Sequence, residues 1–218
     1  MFEQKEKFTA LRDQMVARQI EGRGIHDEAI LQAMRTVPRE AFVMDNYQQY
    51  AYDDTPLPIP GNQTISQPYV VALMIRALRL KRTDRVLEIG TGSGYAAALL
   101  GQLAAEVHTV ERLRQLVTFA RQNLTMLDYA NVFVHHDDGT LGWPDKAPYD
   151  AIIVAAGGPE IPQSLKNQLL IGGRLVMPVG SSERRQDLIC LTREDEIDFR
   201  RANLGAVAFV PLIGEEGW

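Results

Sequence analysis

Two carboxylates and three glycines carry the most chemistry that can be read directly from the chain. Residues 85–99 run RVLEIGTGSGYAAAL: an apolar stretch meets Glu88, and Gly90, Gly92 and Gly94 follow at alternate positions. This pattern reads as strand, tight turn, helix. Glycine permits φ > 0 and lets a ligand approach bare backbone, and the start of the following helix presents free N–H groups. The G-x-G-x-G spacing is one residue shorter than the dinucleotide fingerprint G-x-G-x-x-G. Glu88 would also sit awkwardly beside a pyrophosphate. A carboxylate there suits cationic groups, such as the amino group and sulfonium of S-adenosyl-L-methionine. Glu111 ends a second β-like run, Val107-His108-Thr109-Val110-Glu111, roughly 20 residues beyond the glycines, where a Rossmann-type unit holds its ribose hydroxyls. A ligand-free βα turn and a solvated strand-end carboxylate are the competing readings.

Other strand ends and loops carry weaker signals. Asp138-Gly139 could meet an adenine amino group, or could simply form the Asx turn common for Asp-Gly. His135-His136-Asp137-Asp138 suggests no metal site, because adjacent strand residues point to opposite faces and no further ligand cluster appears. Ala155-Ala156-Gly157-Gly158-Pro159 has no acid, base or nucleophile, and is expected to be a wall or a backbone donor for substrate. Ser66, two residues before Pro68, is placed as a helix N-cap, and such a hydroxyl can also face a ligand.

These residues need elements to hold them. Apolar spacing predicts a helix over 7–21, ended by Gly22 and Gly24, and a short second helix capped by Asp27 and closed by Pro38. Residues 41–63 read as a proline-stiffened loop, long enough to be functional, and a helix follows through Leu78. Strands at 85–89, 106–110, 131–135, 149–154 and 174–179 alternate with helices at 94–103, 112–127 and near 162–170, which implies a parallel sheet with helices on both faces. Residues 187–193 and 206–212 read as an edge hairpin turning at Glu194-Asp195-Glu196. The fold expected is α/β, a Rossmann-like, mostly parallel sheet with an antiparallel edge and an N-terminal helical extension. One domain spans 1–218: helices and an active-site loop over 1–80, a cofactor-binding core over 81–180, and C-terminal strands over 181–218.

Composition narrows the class. The 218 residues are 45% hydrophobic and 23% charged with a net charge of −5, ordinary for a globular domain. No Lys/Arg block forms a phosphate stripe, so nucleic acid is not expected. No apolar run reaches the length of a membrane span, and the polar N-terminus lacks a signal-peptide core. The single Cys190 lies in an apolar run and is expected to be buried, inert and in a reducing, cytoplasmic compartment.

Several segments together resemble the protein-L-isoaspartate (D-aspartate) O-methyltransferase family. They are MVARQIEGRGIHDEAILQAMRTVPREAFV (15–43), AYDDTPLPIPGNQTISQPYVVALM (51–74), VLEIGTGSGYAA (86–97), APYDAII (147–153), GGRLVMPVG (172–180) and FVPL (209–212). The glycine turn is shared by many methyltransferases, whereas Thr64-Ile65-Ser66-Gln67-Pro68 is far more specific. The resemblance implies that Gln63, Thr64, Ile65 and Ser66 line the methyl-transfer site, with Ser66 the active-site hydroxyl. It implies that Glu88, Gly90 and Gly92 hold the methionine end of S-adenosyl-L-methionine, Glu111 the ribose, and Asp138 with Gly139 the adenine. The substrates implied are damaged proteins and peptides containing isoaspartyl residues, met by a monomeric enzyme. Where this family often has Thr-Ala-Ala or Gly-Ala-Ala, the chain has Ala155-Ala156-Gly157-Gly158, which affects substrate contacts rather than the cofactor.

The implied chemistry explains why so few catalytic groups stand out. An α-carboxyl with an ordinary pKa of about 3.5 is already ionised at neutral pH and needs no general base. Ser66 would orient the acceptor rather than attack, and no G-x-S-x-G elbow surrounds it. The alternatives are a methyltransferase acting on another peptide carboxylate, a nicotinamide oxidoreductase and a non-catalytic binding protein. The short glycine pattern and Glu88 oppose the second, and Ser66 in its full context opposes the third.

Overall fold

The computed structural model describes residues 2–182 and 185–218. Its frame is a seven-stranded sheet of order β5-β4-β3-β6-β7-β8-β9, with a separate two-stranded ribbon, β1-β2. The strands are β1 (Leu57–Ile59), β2 (Gln63–Ile65), β3 (Arg85–Ile89), β4 (Glu106–Glu111), β5 (Val132–His136), β6 (Tyr149–Val154), β7 (Leu169–Ser182), β8 (Arg185–Arg193) and β9 (Phe199–Val207). β3 to β7 pair in parallel, and β8 and β9 add an antiparallel edge. β3 and β6 are buried on both faces, which is why both read as nearly unbroken apolar runs.

The helices are α1 (Phe2–Met15), α2 (Glu28–Thr36), α3 (Pro68–Leu78), α4 (Tyr95–Leu103), α5 (Arg114–Met126) and α6 (Gln163–Asn167). One face of the sheet joins the larger core, where Val107 of β4 meets Met34, Phe42, Ile75, Leu99 and Leu116 from the N-terminal segment and α2–α5. The other face packs Leu87, Ile152, Leu175, Leu165 and Leu212 under the short α6 and the C-terminal tail. Strand order reverses between β3 and β6. In an open α/β sheet this places a crevice at the carboxyl ends of those strands.

Local structure departs from the sequence reading in four places. The first helix continues past Met15 as a π turn (Val16–Ile20) and a 3-10 turn (Glu21–Arg23), ending at Gly24 with φ +87°. The expected loop over 41–63 contains 3-10 turns and the β1-β2 ribbon, whose tip needs the positive φ of Gly61. β7 begins at Leu169, inside the helix expected over 162–170, because α6 stops at Asn167. The last strand is β9 (Phe199–Val207) rather than 206–212: 208–212 leave the sheet and turn back across it. Its exposed edge position gives β9 no clean alternation to read.

Capping differs as well. Asp27 caps α2 as expected, its Oδ1 accepting from the amides of Ala29 and Ile30 at 3.0 and 3.3 Å. Ser66 does not cap α3. The cap residue is Gln67, whose side chain makes no cap bond. The helix instead borrows Asp54, whose Oδ1 accepts from the Tyr69 amide at 3.4 Å and whose Oδ2 accepts from Gln67 Nε2 and Arg23 Nη1, each at 2.7 Å. Pro68 occupies the first turn, where its missing N–H costs nothing.

Candidate active site

The carboxyl ends of β3 and β6 open into a cleft whose empty space, counted out into open solvent, is about 1070 Å³. Gln63, Thr64, Ile65 and Ser66 line it together with Glu88, Gly90, Gly92, Glu111 and Gly139. Asp138 is the one expected site residue that does not line it. The structure gives it the Asx-turn role. Its Oδ1 accepts from Thr140 N and Oγ1 at 2.9 and 2.8 Å, and its Oδ2 accepts from Glu215 N at 2.8 Å.

The two strand-end carboxylates are held very differently. Glu111 Oε2 accepts from the Gly92 amide at 3.0 Å and Oε1 from the Leu113 amide at 2.9 Å. The carboxylate is therefore fixed, and each oxygen keeps a second lone-pair direction for a ligand hydroxyl. Glu88 is 1% exposed. The β3-β4 register sets it opposite Thr109, whose Oγ1 donates to Glu88 Oε2 at 2.6 Å. Thr109 in turn lies 2.6 Å from Thr91 Oγ1, so the Thr91 hydroxyl donates into the same chain. Glu88 Oε1 is buried with no partner. Desolvation, aided by Glu111 and opposed by the Thr109 bond, pushes the Glu88 pKa up to about 8. A buried acceptor without a donor is an uncommon expense, and a cationic donor in the cleft would remove it.

The glycine turn works by shape more than by donation. Gly90, Gly92 and Gly94 have φ of +88°, +56° and +89°, which side-chain-bearing residues rarely adopt. Their own amides are already used: Gly90 N donates to Val110 O, Gly92 N to Glu111 and Gly94 N to Thr91 O. The turn thus seats Glu111 and leaves a smooth backbone surface above it.

Ala155 and Ala156 line the opposite side. The amides of Gly157 and Gly158 are committed to Val210 O and Pro178 O at 2.8 and 3.1 Å, so 155–158 acts as a wall and its glycines are not donors to substrate. Sequence reasoning missed Thr91 and Thr109, although Thr109 shares the β4 face of Glu111 two residues away. It also missed the tail, Phe209 to Ile213, which lines the cleft after crossing back over Gly157.

A profile of the protein-L-isoaspartate(D-aspartate) O-methyltransferase family matches residues 10–217. The chain belongs to this family. A protein-L-isoaspartate O-methyltransferase of Rhodopseudomonas palustris (strain ATCC BAA-98 / CGA009) is 59% identical over 204 residues, covering 94% of each chain. A solved protein-L-isoaspartate O-methyltransferase superposes with a TM-score of 0.86 at 31% identity, over 94% of this chain and 67% of the other. A putative member from Plasmodium falciparum, crystallised with S-adenosyl-L-homocysteine, gives a TM-score of 0.80 at 26% identity over 93% and 98%. For a member of this methyltransferase family, the orphaned Glu88 oxygen, the glycine turn and the fixed Glu111 suit the ammonium and ribose of S-adenosyl-L-methionine.

Proposed function

We propose that Glu88, Gly90 and Gly92 hold the methionine end of S-adenosyl-L-methionine in this cleft, that Glu111 accepts from its ribose, and that Ser66 orients the acceptor carboxylate. As a member of its family, the enzyme transfers methyl groups to isoaspartyl residues of damaged proteins. The buried, unpartnered Glu88 Oε1 carries the assignment of the cationic end. When bound, S-adenosyl-L-methionine supplies an electrophilic methyl group on a sulfonium.

The rest is the work of the chain. The acceptor is ionised without help, so the residues around it need only strip its water and align it. Positioning of that kind can contribute roughly 7–11 kcal/mol in the best cases. Ile65, Val71 and Met74 provide the apolar wall that excludes solvent, and Ser66 provides a hydroxyl beside them. Gly139 would hold the adenine end, and it is packed so closely that a Cβ there would meet Ile89 Cγ2 at 2.5 Å. Asp138 contributes to that end through the Asx turn that sets Gly139 in place. The ester product loses methanol when the neighbouring backbone nitrogen attacks it, and the succinimide formed hydrolyses in part to normal aspartate.

We read the chain as a single functional unit that works as a monomer in the cytoplasm. The buried Cys190, the one cysteine of the sequence, fits a reducing compartment. Labelled methyl transfer to an isoaspartyl peptide and to its aspartyl twin tests the substrate. Label on the isoaspartyl peptide alone is expected, and equal labelling of both would point to a different peptide carboxylate. Glu111→Ala should weaken S-adenosyl-L-homocysteine binding by about 1.5–3 kcal/mol with the fold intact. An unchanged dissociation constant on calorimetry would remove Glu111 from the site.

A further inference from the structure

We propose that Arg39 is a positioning residue for the acceptor carboxylate: its buried, uncompensated charge makes the wall formed by Ser66 and Tyr95 selective for an anion. The inference rests on the reading of Ser66 as the acceptor's hydroxyl. Arg39 lies in the 3-10 turn Arg39–Phe42, and its side chain is fully buried. Its Nε donates to Ala51 O at 2.8 Å and its Nη2 to Ser66 O at 2.9 Å. The guanidinium therefore grips the backbone of Ser66, which lines the cleft. It also sits 4.7 Å from the centre of the Tyr95 ring, and Tyr95 lines the same cleft.

The charge itself is left unanswered. Among the described residues no carboxylate lies within ion-pair distance of Arg39. Asp54 acts on it through space, but the Asp54 oxygens are engaged by Arg23, Gln67 and Tyr69. Arg39 Nη1 and the Tyr95 hydroxyl are both buried and answer only each other, through a weak side-chain contact that supplies no counter-charge. Arginine stays protonated in such a place. A buried guanidinium with no counter-ion is costly, and two carbonyl contacts do not require a full charge, since a neutral amide could donate to them. An anion bound at the Ser66 wall supplies the missing partner. The cleft lining also carries Glu111, a carboxylate that repels such an anion, beside the cation Arg112, and Glu88, which repels it once ionised; a positive group behind the Ser66 wall offsets the carboxylates where the acceptor sits.

The test uses the full chain and the Arg39→Gln and Arg39→Lys variants. Binding of an isoaspartyl peptide and of its isoasparaginyl counterpart, which carries an amide where the acceptor carboxylate would be, is measured with S-adenosyl-L-homocysteine present. The wild type should prefer the carboxylate by about tenfold or more. Arg39→Gln should bring the ratio close to one and raise the peptide KM by a similar factor, with kcat changing less and the S-adenosyl-L-homocysteine dissociation constant within about twofold. Arg39→Lys should recover most of the preference, which a purely structural role would not predict. Equal impairment of Gln and Lys variants overturns the proposal. So does a matching loss of S-adenosyl-L-homocysteine affinity, which would assign the charge to the methionine carboxylate. If neither variant folds, a wild type without carboxylate preference overturns it, and a wild type with that preference supports it. An unchanged S-adenosyl-L-homocysteine dissociation constant in Glu111→Ala would instead count against the cofactor assignment and leave the peptide comparison intact.

Discussion

Glu88 and Glu111 are both buried carboxylates at the ends of neighbouring strands, yet only one is satisfied. Glu111 takes two backbone amides, whereas Glu88 takes one hydroxyl and keeps a bare oxygen. Burial raises the Glu88 pKa from 4.5 to about 8, so in the ligand-free protein it is mostly protonated at neutral pH. A cationic amino group beside it requires the ionised form. Binding of S-adenosyl-L-homocysteine at pH 7 should therefore release a proton. The affinity should climb with pH, by up to about tenfold per unit, and level off above about 8. Calorimetry in buffers of different ionisation enthalpy measures the proton directly, and no release would contradict the assignment. The stability of the ligand-free protein has the opposite trend. A folded-state pKa above the unfolded one contributes stability below 4.5 that is lost as pH rises through about 8. Glu88→Gln should remove that decline, melting higher than wild type above pH 8, while weakening cofactor binding. Ser66 gives a second test at this scale. Because its hydroxyl caps no helix, Ser66→Ala should leave stability within about 0.5 kcal/mol while the transfer rate falls. Ser66→Asp should fold, bind cofactor and be nearly inactive, since it sets an anion against an anionic acceptor. Full activity in a folded Ser66→Asp protein would end the catalytic role.

At the scale of elements, the decisive piece is the join between the proline-rich loop and α3. Asp54 ties the loop to Gln67, to the Tyr69 amide and to Arg23, and Arg23 lies 3.4 Å above the Tyr69 ring. The segment 63–66, pinned by Asp54 on one side and Arg39 on the other, forms one wall of the cleft. Removing the cap and the ion pair should cost about 1–2 kcal/mol. Asp54→Ala should also raise amide exchange across 54–69, since the loop then has one fewer anchor. Adding S-adenosyl-L-homocysteine to the wild type should slow exchange over the same residues. Equal exchange with and without ligand would mean that the wall is rigid beforehand.

Across the whole molecule, the cleft depends on the last ten residues closing against the sheet. Phe209 N donates to Gln186 Oε1 at 2.8 Å, and Leu212 N donates to Gly157 O at 2.7 Å. Beyond the cleft, Glu215 N donates to Asp138. Glu216 accepts from Ser164 Oγ at 2.7 Å and from Ser164 N at 2.9 Å, and Trp218 Nε1 donates to Gly157 O at 2.9 Å. These bonds clamp the tail onto both β6 and the Asx turn at Asp138. Deleting 214–218 should leave the sheet folded but free Phe209–Ile213 from the wall. We expect a lower melting temperature and S-adenosyl-L-homocysteine affinity reduced by about tenfold, the loss of one or two good hydrogen bonds' worth of order. Unchanged affinity in the truncated protein would make the tail a structural trim only.

Some of this was legible before any coordinates. The turn from Glu88 to Gly94, the carboxylate at Glu111 and the alternation of β and α segments follow from residues close in sequence. Strand and helix periods and the conformational freedom of glycine are local properties, so spacing alone places them. The Ser66 segment stood out by its resemblance to a family, but its cap assignment did not survive, because Ser66 and Gln67 both precede Pro68 and only a partner from Asp54 decides between them. Arg39 lies 27 residues from Ser66, and Asp138 lies 77 from the amide that holds it. Nothing in their neighbours marks such meetings. The sequence alone therefore determined which backbone would bend at the cleft. Only the tertiary structure decided which charges are left without partners, because burial and counter-ions are set by groups brought together from distant parts of the chain.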